Sequence, residues 1–214
     1  MGDEMFDTQP SSVLDSYAEG QRYFMGEGKL NNALTRLVMD LKEHDIDYLI
    51  IGAVALMAYG YPRFTEDIDL ILDSAGLDRF HSELIELGYS PAFQGARKRL
   101  RSNSDGTPIE IIAAGEYPGD GKLKPVSFPN PSETSVEIDG VKFPTLEKLV
   151  ELKLASGMTA PDRLKDLADV QELIKIRGLS SDFAEKLNPY VRERYLELLE
   201  AVERGRSNHT EEQL

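Results

Sequence analysis

Two acids stand at alternate positions inside an otherwise apolar run, Asp67-Ile68-Asp69-Leu70-Ile71-Leu72. A strand with period two puts Asp67, Asp69 and Ile71 on one face and Ile68, Leu70 and Leu72 on the other. The second set needs a core to bury it, so a strand is expected over 67–72.

Neighbouring segments supply that core. Leu30, Leu34, Leu37, Val38 and Leu41 recur at steps of three and four, predicting a helix over 30–44 behind a shorter one around 13–23. Tyr48–Ile51 reads as a short buried strand that meets Gly52 before the helix-favouring AVALMAYG. A helix over roughly 76–87 is stopped by Gly88, and strands at 97–101 and 107–112 turn on Asp105–Gly106, with Pro108 opening the second or holding it at an edge. The Gly- and Pro-rich stretch 115–134 is long for a plain connection and suggests a lid or an ordered wrap. A second hairpin turns on Asp139–Gly140, followed by helices over 146–155, 162–176 and 181–203. The pattern implies an α+β (mixed α/β) fold, a small mixed sheet flanked by helices. Residues 1–144 are expected to form the core with its N-terminal helices, 145–204 a helical region packed on it, and 205–214 a flexible tail.

Composition narrows the function. With 24 Lys plus Arg against 38 Asp plus Glu the net charge is −14, which repels long nucleic acids. Cysteine is absent, excluding disulfides and thiol chemistry. The apolar run 48–60 is shorter than the roughly 20 residues a bilayer crossing needs. MGDEMFDTQP lacks the basic and apolar segments of a secretory signal, so a cytoplasmic location without membrane contact is expected.

Side chains at i and i+2 of a strand project together about 6.6–6.8 Å apart, so Asp67 and Asp69 can share a cation, or simply mark an exposed strand face. Magnesium suits such a site, because it takes oxygen ligands, few of them from protein, and completes its shell with phosphate. Gly52, between a strand and a helix, is where a backbone can approach a phosphate closely, although a plain turn glycine fits equally. Arg63 and Thr65 lie between these elements, suited to phosphate contact or to a turn. Arg97, Lys98, Arg99 and Arg101 form the densest basic cluster, either a phosphate- or acceptor-binding face or a solvated edge. Lys153 follows a packed helical stripe from which its head could emerge, with Asp166 and Asp169 within reach of a helix-to-helix salt bridge. PGDGK at 118–122 lacks the full P-loop pattern.

IGAVALMAYGYPRFTEDIDLIL resembles the DNA polymerase β-like nucleotidyltransferase superfamily. Its signature is a hydrophobic residue, Gly, Gly or Ser, a spacer, then alternating acids and hydrophobic residues; here Ile51, Gly52 and Ala53 precede thirteen residues, 54–66, and then Asp67-Ile68-Asp69-Leu70. The spacing of Arg63, Thr65, Asp67 and Asp69, with the later RLKDLADVQELI, looks most like the minimal and AbiEii-type toxin nucleotidyltransferases. That resemblance implies transfer of a nucleoside monophosphate from a nucleoside triphosphate such as ATP to a hydroxyl of a protein, a tRNA or a small molecule, releasing pyrophosphate. It further implies two Mg2+ ions on Asp67, Asp69 and the third acid, Glu110, and nucleotide contacts from Gly52, Ala53, Arg63, Thr65 and Lys153. Ala53 stands where the family has Gly or Ser, and Glu110 where it usually has Asp. The alternative is a weakly active or inactive chain that binds a nucleotide or a protein partner within a toxin–antitoxin or defence module.

Overall fold

The computed structural model describes residues 28–85 and 87–211. The helix expected around 13–23 lies outside the described residues. Helix α1 (Lys29–Glu43) buries Leu30, Ala33, Leu37, Val38 and Leu41, the apolar stripe of its sequence. Strand β1 (Leu49–Ile50) leads through Gly52 into helix α2 (Gly52–Ala58), and β2 (Ile68–Leu72) into α3 (Ser74–Glu83), whose start is capped by Asp73 accepting from the Gly76 N–H.

Strands β3 (Tyr89–Pro91), β4 (Arg99–Ser102) and β5 (Pro108–Ala113) complete a five-stranded sheet in the order β1-β2-β5-β4-β3. Only β2 and β5 run parallel; the other neighbours are antiparallel. Pro108 opens β5, the position where a missing N–H costs the ladder least. Ile68, Leu70 and Leu72 enter the main core, and Ile71 packs with Leu49 and Ile51 on the opposite face, as period two requires. Hairpin β6 (Val136–Ile138) and β7 (Val141–Phe143) turns on Asp139 and Gly140, both at positive φ.

The C-terminal part is helical: α4 (Leu146–Thr159), a 3-10 turn over Pro161–Arg163, α5 (Leu164–Arg177), a second 3-10 turn over Ser181–Lys186, and α6 (Pro189–Glu211). One buried apolar cluster joins these helices to the sheet. No described helix is long and apolar enough to cross a membrane.

The structure departs from the sequence reading in four places. The helix expected over 181–203 is broken, because Pro189 has no N–H to continue it; Asn188 accepts from the Tyr190 N–H and starts α6 anew. α6 also continues to Glu211, into the segment read as a tail. α3 ends at Glu83 rather than near 87, and the next residues feed β3, a strand too short to show a period. Finally, Arg97 and Lys98 precede β4 rather than belonging to it.

Candidate functional site

The site is a cavity of about 370 Å³ between one face of the sheet and helices α4 and α5. Gly52, Ala53, Arg63, Thr65, Asp67, Asp69, Glu110 and Lys153, the eight residues singled out above, all line it.

Gly52 has φ +65°, a conformation that disfavours side chains. A Cβ there would overlap Asp69 Oδ2 and lie 3.0 Å from its Cγ. The strand-to-helix turn and the acid therefore occupy one space, held by the Ile51 N–H donating to the Asp69 carbonyl at 2.9 Å. Thr65, which sequence offered as a phosphate donor or a turn residue, donates its hydroxyl to Asp67 Oδ1. In the parallel ladder Asp69 stands opposite Glu110, so both carboxylates leave the same face. Glu110 is half exposed, and its nearest cation is Arg99, with Nε 3.9 Å from Oε1.

Burial pushes the Asp69 carboxyl up to about 7; repulsion from Asp67 and Glu110 adds to this, while Lys153 and Lys165 oppose it.

Behind the acids lies a buried polar network. Lys153 Nζ donates to Asp166 Oδ1 at 3.0 Å and to Asp169 Oδ2 at 2.7 Å. Arg63 Nη1 reaches the same Asp169 oxygen at 3.0 Å, and the Ser156 hydroxyl donates to Asp166 Oδ2 at 2.7 Å. Burial alone would raise the Asp166 carboxyl, but the Lys153 ammonium and the Ser156 hydroxyl outweigh it and hold it below the usual carboxylate range. The salt bridge between helices that sequence allowed for Lys153 is thus formed, and it also borders the cavity.

The 115–134 segment is an ordered wrap. Gly115 and Phe128, then Phe128 and Glu116, exchange backbone hydrogen bonds of 2.8 Å that close its ends. Lys124 is buried among Pro118 O, Asp120 and Thr159, and a Cβ on Gly119 would overlap Thr159 Oγ1. Tyr117 and Phe128 thereby become cavity wall.

The basic strand is not part of this wall. Arg97 pairs with Asp78 at 2.7 Å, Lys98 with Glu116, and none of Arg97, Lys98, Arg99 or Arg101 lines the cavity. Its cations include Arg163 and Lys165 instead. Sequence reasoning singled out neither Lys165 nor Arg163. One signal was available: both stand at the start of a helix, the end where positive charge is disfavoured.

Among solved structures, the chain aligns with ANT(2'')-Ia in complex with adenylyl-2''-tobramycin at a TM-score of 0.52 and 15% identity, covering 77% of this chain and 97% of that one. The solution structure of the antibiotic-resistance factor ANT(2'')-Ia aligns at 0.51 and 16% identity, covering 82% and 96%. The chain has a nucleotidyltransferase fold. No protein-family model matches the sequence, and no curated protein matches it. At these identities the likeness is one of fold. Within this nucleotidyltransferase fold, the cavity lies where β2 and β5 pair in parallel.

Proposed function

We propose that the chain is a metal-dependent nucleotidyltransferase that moves a nucleoside monophosphate from a nucleoside triphosphate to a hydroxyl acceptor and releases pyrophosphate. The observation that carries this reading is the convergence of Asp67, Asp69 and Glu110 on one cavity whose floor is the close-packed Gly52 turn.

The residues fit divalent cations. Their donors are all carboxylate oxygens, and the Asp69 carboxyl, raised first by burial and then by Asp67 and Glu110, is one whose ionised form a cation would favour. Among the described residues no group of three His, Asp or Glu side chains is already arranged to hold a metal ion; magnesium would complete its shell with water and phosphate oxygens. Two Mg2+ ions on Asp67 and Asp69, one also reached by Glu110, would neutralise phosphate charge and polarise the acceptor hydroxyl.

The chain's own groups do the rest. The backbone of Gly52 and Ala53 receives the triphosphate, with no side chain at 52 to obstruct it. Thr65 fixes the rotamer of Asp67. Arg63 is tied by Asp169 to α5, which positions the 61–67 segment carrying both Thr65 and Asp67. Lys153 and Lys165 favour the ionised form of Asp69. Glu110, half exposed, accepts the proton of the acceptor hydroxyl. The acceptor oxygen bonds to the α-phosphorus as the bond from that phosphorus to the α,β-bridging oxygen breaks, and the electron pair leaves on pyrophosphate.

The acceptor is a protein, a tRNA or a small hydroxylated molecule. ANT(2'')-Ia is seen with an adenylylated small molecule, so that class is one arm of the test. Action in the cytoplasm belongs to the same reading, as does a division into a core of 1–144 and a helical region from 145, whose last helix runs on into the segment read as a tail; a toxin–antitoxin or defence module belongs to the alternative. The test incubates wild type and an Asp67→Ala, Asp69→Ala double variant with α-labelled nucleotides, magnesium and fractionated cell extract. Label should move to an acceptor with wild type alone. Nucleotide binding without any labelled product would instead favour the non-catalytic alternative.

A further inference from the structure

We infer that Arg99, on the open half of the sheet beside Glu110, is an anion subsite that selects a small hydroxylated acceptor carrying a phosphate group. The inference rests on the nucleotidyltransferase reading, in which Glu110 takes the proton of the acceptor, and it concerns a strand outside the motifs that carry the family resemblance.

On the sheet, the cavity ends at β5, and no residue of β3 or β4 lines it. The sheet itself continues for those two strands. In the ladders Asp69 stands opposite Glu110 and Glu110 opposite Arg99, so the three side chains form one row across β2, β5 and β4 on a single face. Leu100 and Ile109, one step along, are buried in the core on the other face. Past Glu110, outside the cavity, the next side chain in the row is therefore a cation. Arg101, at the next position on the same face, adds to the positive potential there.

Arg99 is less committed than its neighbours. Arg97 and Lys98 are bonded to Asp78 and Glu116. The Arg99 side chain is 69% exposed, and its Nε lies 3.9 Å from Glu110 Oε1, beyond hydrogen-bond reach. Among the described residues its guanidinium donates no hydrogen bond. Five N–H donors are thus left for a ligand, in a fork that matches two oxygens of one phosphate. The loose pair with Glu110 is easily exchanged for such a ligand, because exposed ion pairs contribute little. Neighbouring strands are about 4.8 Å apart, so a molecule bridging Glu110 and Arg99 holds its phosphate within a few bonds of the reacting hydroxyl. Polyol and sugar phosphates have that spacing. The same guanidinium repels an amino group placed there, which sets the subsite against cationic acceptors. One phosphate is also its limit: a nucleic-acid backbone needs several cations in line, whereas this row continues into Glu110 and Asp69 in a chain of net charge −14.

The test is an NMR titration of the full chain, without nucleotide or magnesium, following the Arg99 Nε–H resonance and the backbone amides of 97–101 and 110. The probes are inorganic phosphate, glycerol 3-phosphate, glycerol and 3-amino-1,2-propanediol, a series that keeps the diol and changes its charge. Phosphate and glycerol 3-phosphate should shift these resonances saturably, and the neutral and cationic diols should not. Arg99→Gln, read on the amides, should weaken glycerol 3-phosphate binding roughly tenfold or more with a melting temperature within about 1 °C of wild type, and Arg99→Lys should recover part of the loss. The subsite is overturned if neither phosphate compound shifts these resonances, if Arg99→Gln binds as wild type does, or if the cationic diol binds as well as the phosphate ester. An oligoadenylate RNA of eight nucleotides that binds at Arg99 over tenfold more tightly than glycerol 3-phosphate would overturn the small-molecule assignment. Labelled product in the transfer assay without phosphate binding at Arg99 refutes the subsite alone. Phosphate binding at Arg99 with no labelled product refutes the catalytic reading, and the acceptor role with it.

Discussion

Asp69 occupies the space in which a side chain on Gly52 would stand. Gly52→Ala must therefore displace the carboxylate and strain a backbone at φ +65°. We expect transferase activity to fall at least a hundredfold, with a melting temperature lower by about 3–6 °C. Retention of activity within threefold of wild type would show that the carboxylate need not sit there.

Asp69 also gives the metal-free protein a pH dependence of known sign. Its carboxyl is raised to about 7 from an ordinary value near 3.8, so its contribution to stability is full below the unfolded value and is lost as pH rises through 7. Asp69→Asn cannot ionise. In chelator the variant should melt higher than wild type at pH 8, by about 5 °C, and the gap should close toward pH 5. Adding magnesium at pH 8 should narrow it by stabilising wild type alone. A gap that does not vary with pH would contradict the raising of Asp69 by its burial and by Asp67 and Glu110.

Lys153→Met leaves Asp166 and Asp169 buried without their shared cation. Removing one partner of a buried pair costs about 3–5 kcal/mol, or about 10 °C in a chain of this size. Thermal unfolding measures it directly. A drop under 3 °C would mean that the network is wetter than its exposure indicates.

Thr65→Val removes the hydroxyl that orients Asp67 while nearly conserving shape. Turnover should fall about tenfold with a change in melting temperature under 2 °C. Kinetics at several magnesium concentrations would check this, since a loosened ligand should raise the magnesium requirement. An unchanged requirement would separate Thr65 from metal binding.

Glu110→Gln keeps the size of a half-exposed side chain and removes its basicity. Turnover should drop by about a hundredfold or more without loss of nucleotide affinity. Equal loss of affinity would place Glu110 in substrate binding rather than proton transfer.

Much of this site was legible in the residues. Period two placed Asp67, Asp69 and Ile71 on one face, and β2 buries its other face as that period requires. Asp–Gly pairs marked both hairpin turns because few residue pairs tolerate positive φ there. Glu110 was placed on a neighbouring strand, but only the parallel register sets it opposite Asp69. What stayed hidden depends on distant partners. Nothing local tells that Lys98 pairs with Glu116 and Arg97 with Asp78, leaving the basic strand outside the cavity. Likewise, whether Lys153 is bound or free depends on how α4 meets α5, which periodicity does not encode. Tyr117 and Phe128 reach the cavity wall through a wrap anchored by Lys124, whose contact with Thr159 no local pattern encodes.

The parallel pairing of β2 with β5 has one more consequence. These strands are joined through a helix and two antiparallel strands, so the carboxylates at 69 and 110 meet only after a long loop closes during folding, a slow and entropically costly event. An unfinished chain, still emerging from the ribosome with its first forty residues past Asp69 unsynthesised, holds at most two of the three acids. The proposed three-acid site therefore exists only once β5 has closed onto β2.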